Sequence, residues 1–409
     1  MNPLAPVGRE AKALWGDGKG RSLGVIAGVW GLLLGTRMIY PVLLPYLRES
    51  FGLSLSVAGL LVTILWLGSA IGQLPGGILA DRYSERSVMT VGAAVVAVAV
   101  LVVVAAPTAV ALFAATALVG LGQSLYPVAR ITLLADIYPD RIGSALGVTM
   151  ATGDLGQTLL PPIAGTLAAA IAWQAGLVFV SPLLLVGTVA LWLLLPRETD
   201  TGSGEDREET AASDALSGET SGRVLAELRQ PNVVFISFIF FLYILVWQAF
   251  TGLYPTYLVE QKGLSSARAS LLFSLFFAAG VVVKPVAGAA YDRVGFRGSL
   301  VMVLSGPVAG LALLPVVEGT IELAGITVLV STMLGSGTIT QSFFSDAFSE
   351  SVRGTGLGVV RTTTATLGAA GPLIFGVIAD SGYFDEGYWL LAAIIGIVIL
   401  LTLRVSDAE

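Results

Sequence analysis

Five ionisable side chains lie inside stretches that are otherwise almost wholly apolar: Arg37, Arg130, Lys284, Arg361 and Asp154. Charge buried in apolar sequence is costly and marks a functional candidate. An Arg fork grips a carboxylate or phosphate through two parallel hydrogen bonds, whereas Lys supplies a point charge. Four cations against one acid leave a positive excess that an anionic guest would neutralise. Polar neighbours recur at helical spacing beside them: Gln123 and Tyr126 before Arg130, Tyr40 after Arg37, Gln157 after Asp154, and Ser345 after Gln341.

The chain has no His and no Cys. That excludes disulfides, thiolate chemistry and the usual zinc, haem and iron–sulfur ligand sets. No glycine-rich nucleotide loop and no nucleophile motif is present, so neither ATP drive nor an enzyme is expected. No cofactor, metal or nucleic-acid partner is expected either. A proton carrier, where one is needed, has to be a carboxylate. Asp154 is the deep candidate, either as a proton carrier or as a partner for an Arg. Beside an Arg it stays ionised until that cation is drawn away.

The elements that position these groups follow from composition. Of 409 residues, 55% are hydrophobic and 12% charged, with a mean hydropathy of +0.85; a soluble domain carries about 25% charged residues. The expected fold class is an all-α polytopic membrane protein. A helix needs about 20 apolar residues to cross about 30 Å of hydrocarbon. Twelve such stretches occur, at 22–46, 56–80, 87–106, 108–136, 143–168, 174–195, 233–257, 267–290, 298–316, 321–346, 356–379 and 387–404. At 1.5 Å per residue from a flanking charge on the inner side, all five deep groups fall in the middle to inner part of the slab. Trp30, Trp66, Trp247 and Trp389 read as packing or interface residues.

The expected organisation is an N-terminal tail (1–21), a six-helix bundle (22–195), an acidic linker (196–230), a second six-helix bundle (231–404) and a short tail (405–409). The linker is rich in Glu, Asp, Ser, Thr and Gly and poor in apolar residues. A short surface helix is expected within it near Arg223–Arg229. With both termini inside, fifteen Lys and Arg fall on the cytoplasmic side and three, Arg48, Lys262 and Arg268, outside. That excess sets the orientation of a multi-pass plasma-membrane protein. The charge of −6 and the presence of only four Lys suit a halophilic archaeal source.

The two halves repeat at a fixed offset of 211 residues. Gly52-Leu53-Ser54 maps onto Gly263-Leu264-Ser265, and Gly77, Asp81, Arg82 and Arg86 onto Gly288, Asp292, Arg293 and Arg297. The deep cations are asymmetric: Arg37 maps to Gln248, Arg130 to Gln341, Lys284 to Gln73 and Arg361 to Met150. Residues shared by both halves build the scaffold. Residues that differ can suit one asymmetric guest in a polar chamber between the halves, near the midplane.

The stretch Gly77-Ile-Leu-Ala-Asp81-Arg82-Tyr-Ser-Glu-Arg86 resembles the loop signature between spans two and three of the major facilitator superfamily. Gly288-Ala-Ala-Tyr-Asp292-Arg293-Val-Gly295-Phe-Arg297 resembles its second copy. The first copy departs from the pattern at Ser84 and Glu85. The resemblance covers nearly the whole chain and implies two pseudo-symmetric six-helix bundles working by alternating access. It also implies that these residues, with Asp136, form a cytoplasmic gate. Lys284-Pro285 and an Arg in mid span one are similar to family members that carry anions. Pro161–Gly165 and Gly371–Gly376 match the antiporter motif of span five only in part, and Thr116 stands where drug antiporters have Arg.

The expected function is secondary active transport of a small organic or inorganic anion with proton or ion coupling, and a monomer suffices. The substrate-binding candidates are Arg37, Tyr40, Gln123, Tyr126, Arg130, Gln248, Lys284, Gln341 and Arg361. Arg130 and Arg361 also fit as gate residues, pairing with Asp136 and Asp81. The alternatives are an exporter of drugs or amphipathic compounds on the same fold, and a non-transporting membrane sensor.

Overall fold

The computed structural model describes residues 14–16, 18–196, 218–349 and 352–405, with some side chains among them, including that of Asp81, left undescribed. The expected tail before residue 14, the linker from 197 to 217 and the tail from 406 lie outside the described residues. All regular structure within them is helical.

The first unit comprises Met1–Glu198 with Thr251–Ala278. Its helices are α1 (Lys19–Phe51), α2 (Leu55–Ile71), α3 (Gln73–Arg82), α4 (Glu85–Val104), α5 (Ala109–Ser124), α6 (Tyr126–Ile137), α7 (Ile142–Ala170), α8 (Trp173–Val178) and α9 (Val180–Leu194). The second unit comprises Thr199–Phe250 with Ala279–Glu409. The remaining helices are α10 (Gly218–Leu228), α11 (Pro231–Glu260), α12 (Ser266–Leu313), α13 (Thr320–Ser331), α14 (Gly335–Ala347), α15 (Arg353–Gly368), α16 (Gly371–Asp380) and α17 (Phe384–Thr402). Helices α11 and α12 each contribute to both units.

Each expected span coincides with helix, but several are broken into two. The breaks at Gly72, Leu125, Phe179 and Ala370 each fall two or three residues before a proline, at Pro75, Pro127, Pro182 and Pro372. Proline has no N–H to continue the ladder and clashes with the preceding turn, so the register resets there. Among the described residues, nine helical stretches are long and apolar enough to cross a membrane. One of them, Ser266–Val316, holds two expected spans. Helix α12 runs through their junction with one non-helical residue, Gly295, at φ 69°. A positive φ is cheap only for glycine, so Gly295 turns the chain where a loop was expected. Span two falls short of the nine because its helix ends at Ile71 after 17 residues. Helix α7 is 29 residues long and falls short through its Gly, Thr, Asp154 and Gln157 content.

The repeat is visible in the turns. Gly52 ends α1 at φ 63° and Ser54 Oγ accepts from Val57 N at 3.3 Å, starting α2. In the second copy Gly263 stands at φ 64° and Ser265 Oγ accepts from Arg268 N at 3.4 Å. A left-handed glycine followed by a serine cap reverses the chain with few unsatisfied backbone groups.

Helix α1 packs most extensively against α7. The crossing is backbone to backbone: a Cβ on Gly31 would lie 2.6 Å from the Thr152 carbonyl oxygen, and one on Gly156 would overlap the Gly31 carbonyl. Small residues permit this approach in lipid, where dispersion contacts replace the hydrophobic drive. Trp30 and Leu34 of α1 flank the crossing and pack against Gly153 of α7.

Candidate functional site

On α1, Arg37 lies one helical turn before the buried Tyr40. Its Nε donates to Gln123 Oε1 of α5 at 3.1 Å. The same oxygen accepts from Ser69 Oγ of α2 at 3.2 Å, and Gln123 Nε2 donates to the Leu33 carbonyl at 3.0 Å. Gln73 Nε2 in turn donates to the Ser69 carbonyl at 3.1 Å. The Arg37 guanidinium carbon sits 5.0 Å from the Trp66 ring centroid, within reach of the negative face of the indole. Among the described residues Arg37 has no carboxylate partner. Its positive charge is thus spread over an amide, a backbone-anchored network and a ring, and is not neutralised.

Seven residues earlier on the same face of α1, Trp30 supports a second cation. The Arg130 guanidinium lies 4.3 Å from the Trp30 ring centroid and donates to Thr149 Oγ1 of α7. Trp30 stacks on Tyr126 with centroids 6.0 Å apart and planes 12° apart, and Tyr126 Oη donates to the Ile26 carbonyl at 2.9 Å. Arg130 is 6% exposed. Seven residues of α1 separate Trp30 from Arg37, about 10 Å along the helix axis. Tyr40 is buried, with its hydroxyl 3.5 Å from Thr116 Oγ1. Asp154 is half-buried on α7 and accepts from Gln157 Nε2 at 3.4 Å.

The structure therefore joins Arg37 to Gln123 directly, and links Tyr126 to Arg130 through Trp30. Within the second unit, buried Gln248 on α11 donates to the Ala365 carbonyl of α15 at 3.3 Å. Lys284 is half-buried on α12, while Gln341 on α14 and Arg361 on α15 are exposed. Ser69, Trp30, Trp66 and Thr149 belong to the cation sites and were absent from the candidates. Trp66, Ser69 and Gln73 stand at i, i+3 and i+7 on span two, a stripe that the sequence displays but that has no charge to draw attention to it.

The gate candidates divide. Arg86 is 5% exposed, stacks 4.4 Å from the Trp192 ring centroid and donates to the Trp192 carbonyl near the end of α9. Arg82 lies 5.8 Å from the Tyr83 ring, and Asp136, Asp292 and Arg293 are exposed. Arg297 and the glycines Gly77 and Gly288 are half-buried. The Asp346 carboxylate accepts from Tyr291 Oη at 2.8 Å. The Asp81 side chain lies outside the described residues.

Comparison with known proteins points the same way as the repeated signature. A hexuronate transporter of Bacillus subtilis is 26% identical over 380 residues, 88% of this chain and 87% of its own. A probable sulfoacetate transporter of Cupriavidus necator is 23% identical over 407 residues, covering 94% and 93%. A nitrite extrusion protein of Bacillus subtilis is 24% identical over 380 residues, covering 91% and 90%. Among solved structures, the nucleoside transporter NupG superposes with a TM-score of 0.78 at 13% identity, covering 94% of this chain and 99% of that one. A bacterial homolog of the human lysosomal transporter Spinster, in an inward-facing and occupied conformation, gives 0.77 at 13% identity, covering 93% and 95%. Likeness at that identity shows the fold, a polytopic bundle of apolar helices. The sequence model of the Major Facilitator Superfamily matches residues 25–344, a span that holds both copies of the Gly–Asp–Arg signature, and the chain belongs to that superfamily.

Proposed function

We propose that the protein is a secondary active transporter that moves a small organic or inorganic anion by alternating access. The observation that carries this reading is Arg37, a cation deep in a membrane helix that is oriented by Gln123 and Trp66 and has no carboxylate partner among the described residues. Placing Arg at the centre of a membrane helix costs about 2.5–3.5 kcal/mol on insertion scales. The indole contact returns roughly 0.5–2 kcal/mol and a charged hydrogen bond about 1.5–3 kcal/mol. The charge is thus tolerated but still exerts its field, and a mobile anion completes the balance. Relatives named for hexuronate, sulfoacetate and nitrite support an anionic substrate.

In this reading both termini are cytoplasmic and the chain is organised as two six-helix bundles around the linker. Lys284 and Arg361 are the further cationic candidates, and Asp154 is the candidate for coupling to a proton or another ion. Arg37→Ala and Lys284→Ala are the variants that test it. Each is expected to abolish uptake of anions by proteoliposomes while the protein still reaches the membrane and melts cooperatively. Wild-type transport of every anion by both variants removes the site assignment.

A further inference from the structure

In Gln123 the side-chain oxygen has no capacity left for a substrate, and one of the two N–H groups is already committed. Its amide carbonyl offers two lone pairs and its amine two N–H groups. The carbonyl accepts from Arg37 Nε at 3.1 Å and Ser69 Oγ at 3.2 Å, and the amine donates to the Leu33 carbonyl at 3.0 Å. At 1% exposure the residue, with its second N–H, is closed off from solvent. Arg37 can only donate, so the amide oxygen must face it, and the Leu33 carbonyl holds the opposite nitrogen. The orientation is fixed at both ends.

The consequence falls on Arg37. Its Nε is committed to Gln123, and its guanidinium carbon sits over the Trp66 ring. The half-buried side chain keeps its terminal edge, Nη1 and Nη2, without a hydrogen-bond partner among the described residues. That edge presents two parallel N–H groups in one plane, the fork that pairs with two oxygens of a single group.

Resting on the anion-site reading above, we propose that Gln123 is a positioning residue for Arg37 and does not itself contact substrate. Held by Ser69 and Leu33, it presents the Nη1–Nη2 edge to a ligand group bearing two oxygens. The substrate class is therefore a carboxylate, sulfonate or nitrate, and not a monatomic or linear anion. Because the partner is an amide, it also leaves the Arg37 charge intact.

The test uses purified full-length protein in detergent, titrated calorimetrically at constant ionic strength with glucuronate, sulfoacetate, nitrate, chloride and thiocyanate. At least one of the first three is expected to bind at least about tenfold more tightly than the last two. Loss of one hydrogen bond to a charged group corresponds to roughly ten- to hundredfold in affinity. Gln123→Leu is expected to weaken the two-oxygen anion by that factor and to collapse the preference over thiocyanate. Ser69→Ala is milder and gives a smaller shift in the same direction. Gln123→Glu places a carboxylate against Arg37 and blocks binding at neutral pH. Binding returns as pH falls and that carboxyl becomes a neutral acceptor, a recovery that a purely structural role would not produce.

If Arg37→Ala loses binding while all three Gln123 and Ser69 variants keep parental affinity and selectivity, the positioning role is overturned and the anion site stands. Parental binding by Arg37→Ala overturns both. Chloride or thiocyanate binding as tightly as every two-oxygen anion overturns the ligand class. Binding of none of the five to the parent overturns the whole reading.

Discussion

The Arg130 guanidinium rests 4.3 Å from the centroid of the Trp30 ring, so a cation of span four is seated on an aromatic of span one. Both groups belong to the α1–α6–α7 cluster, where Thr149 and Tyr126 complete the surroundings. Removing the ring tests the contact. Trp30→Ala is expected to lower stability by about 3–5 kcal/mol, since a large side chain is lost along with the platform. Trp30→Phe keeps most of the packing and weakens only the cation–π contact, at about 0.5–1 kcal/mol. Thermal unfolding of the purified variants in one detergent separates the two. Equal melting of Trp30→Ala and the parent removes the contact from the account of this bundle.

Arg86 stacks on Trp192 and donates to its carbonyl near the C-terminal end of α9. A cation there satisfies a terminal carbonyl and opposes the negative end of the helix dipole. Arg86→Ala is expected to cost about 1–3 kcal/mol in unfolding free energy. Arg86→Lys retains the charge and loses the planar stacking, so it falls between the two. A role confined to gating would instead change uptake and leave the melting of both variants at the parental temperature.

The α1–α7 crossing has no room for a side chain at Gly156, where a Cβ meets the Gly31 backbone. Backbone cannot swing away as a flexible side chain can. Gly156→Val is expected to separate the helices and cost at least about 1–3 kcal/mol through overpacking. Gly143 on the same helix has open space around it and serves as the control, with Gly143→Ala near neutral. Measured side by side by thermal unfolding, indistinguishable stabilities for the two would mean that the crossing is looser than this.

Helix α10, just before α11, is tied to the segment between α14 and α15. The Glu227 carboxylate accepts from Ser349 N at 3.2 Å and from Ser349 Oγ at 2.6 Å. Both groups are exposed, so their worth to global stability is small. Glu227→Ala is expected to speed hydrogen exchange locally across 218–228 while the melting temperature moves little. Unchanged exchange there means that other contacts dock the helix.

The expected surface helix near Arg223–Arg229 appears as Gly218–Leu228, and the twelve expected spans fall on helices, because apolar length and local proline and glycine placement are properties of contiguous sequence. Gly52 and Gly263 with their serine caps were visible as a repeat for the same reason. The sequence also carried the superfamily signature, twice, and located Arg37 and Arg130 inside membrane helices. It could not supply the partners. Arg37 and Gln123 stand 86 residues apart, and Trp30 and Arg130 meet across two different helices, α1 and α6. Trp66 and Ser69, uncharged on an apolar span, gave no sign of their use. Helical periodicity fixes which face of a helix is polar; which residue that face meets is set by the close packing of several helices at once, and that information exists only in three dimensions.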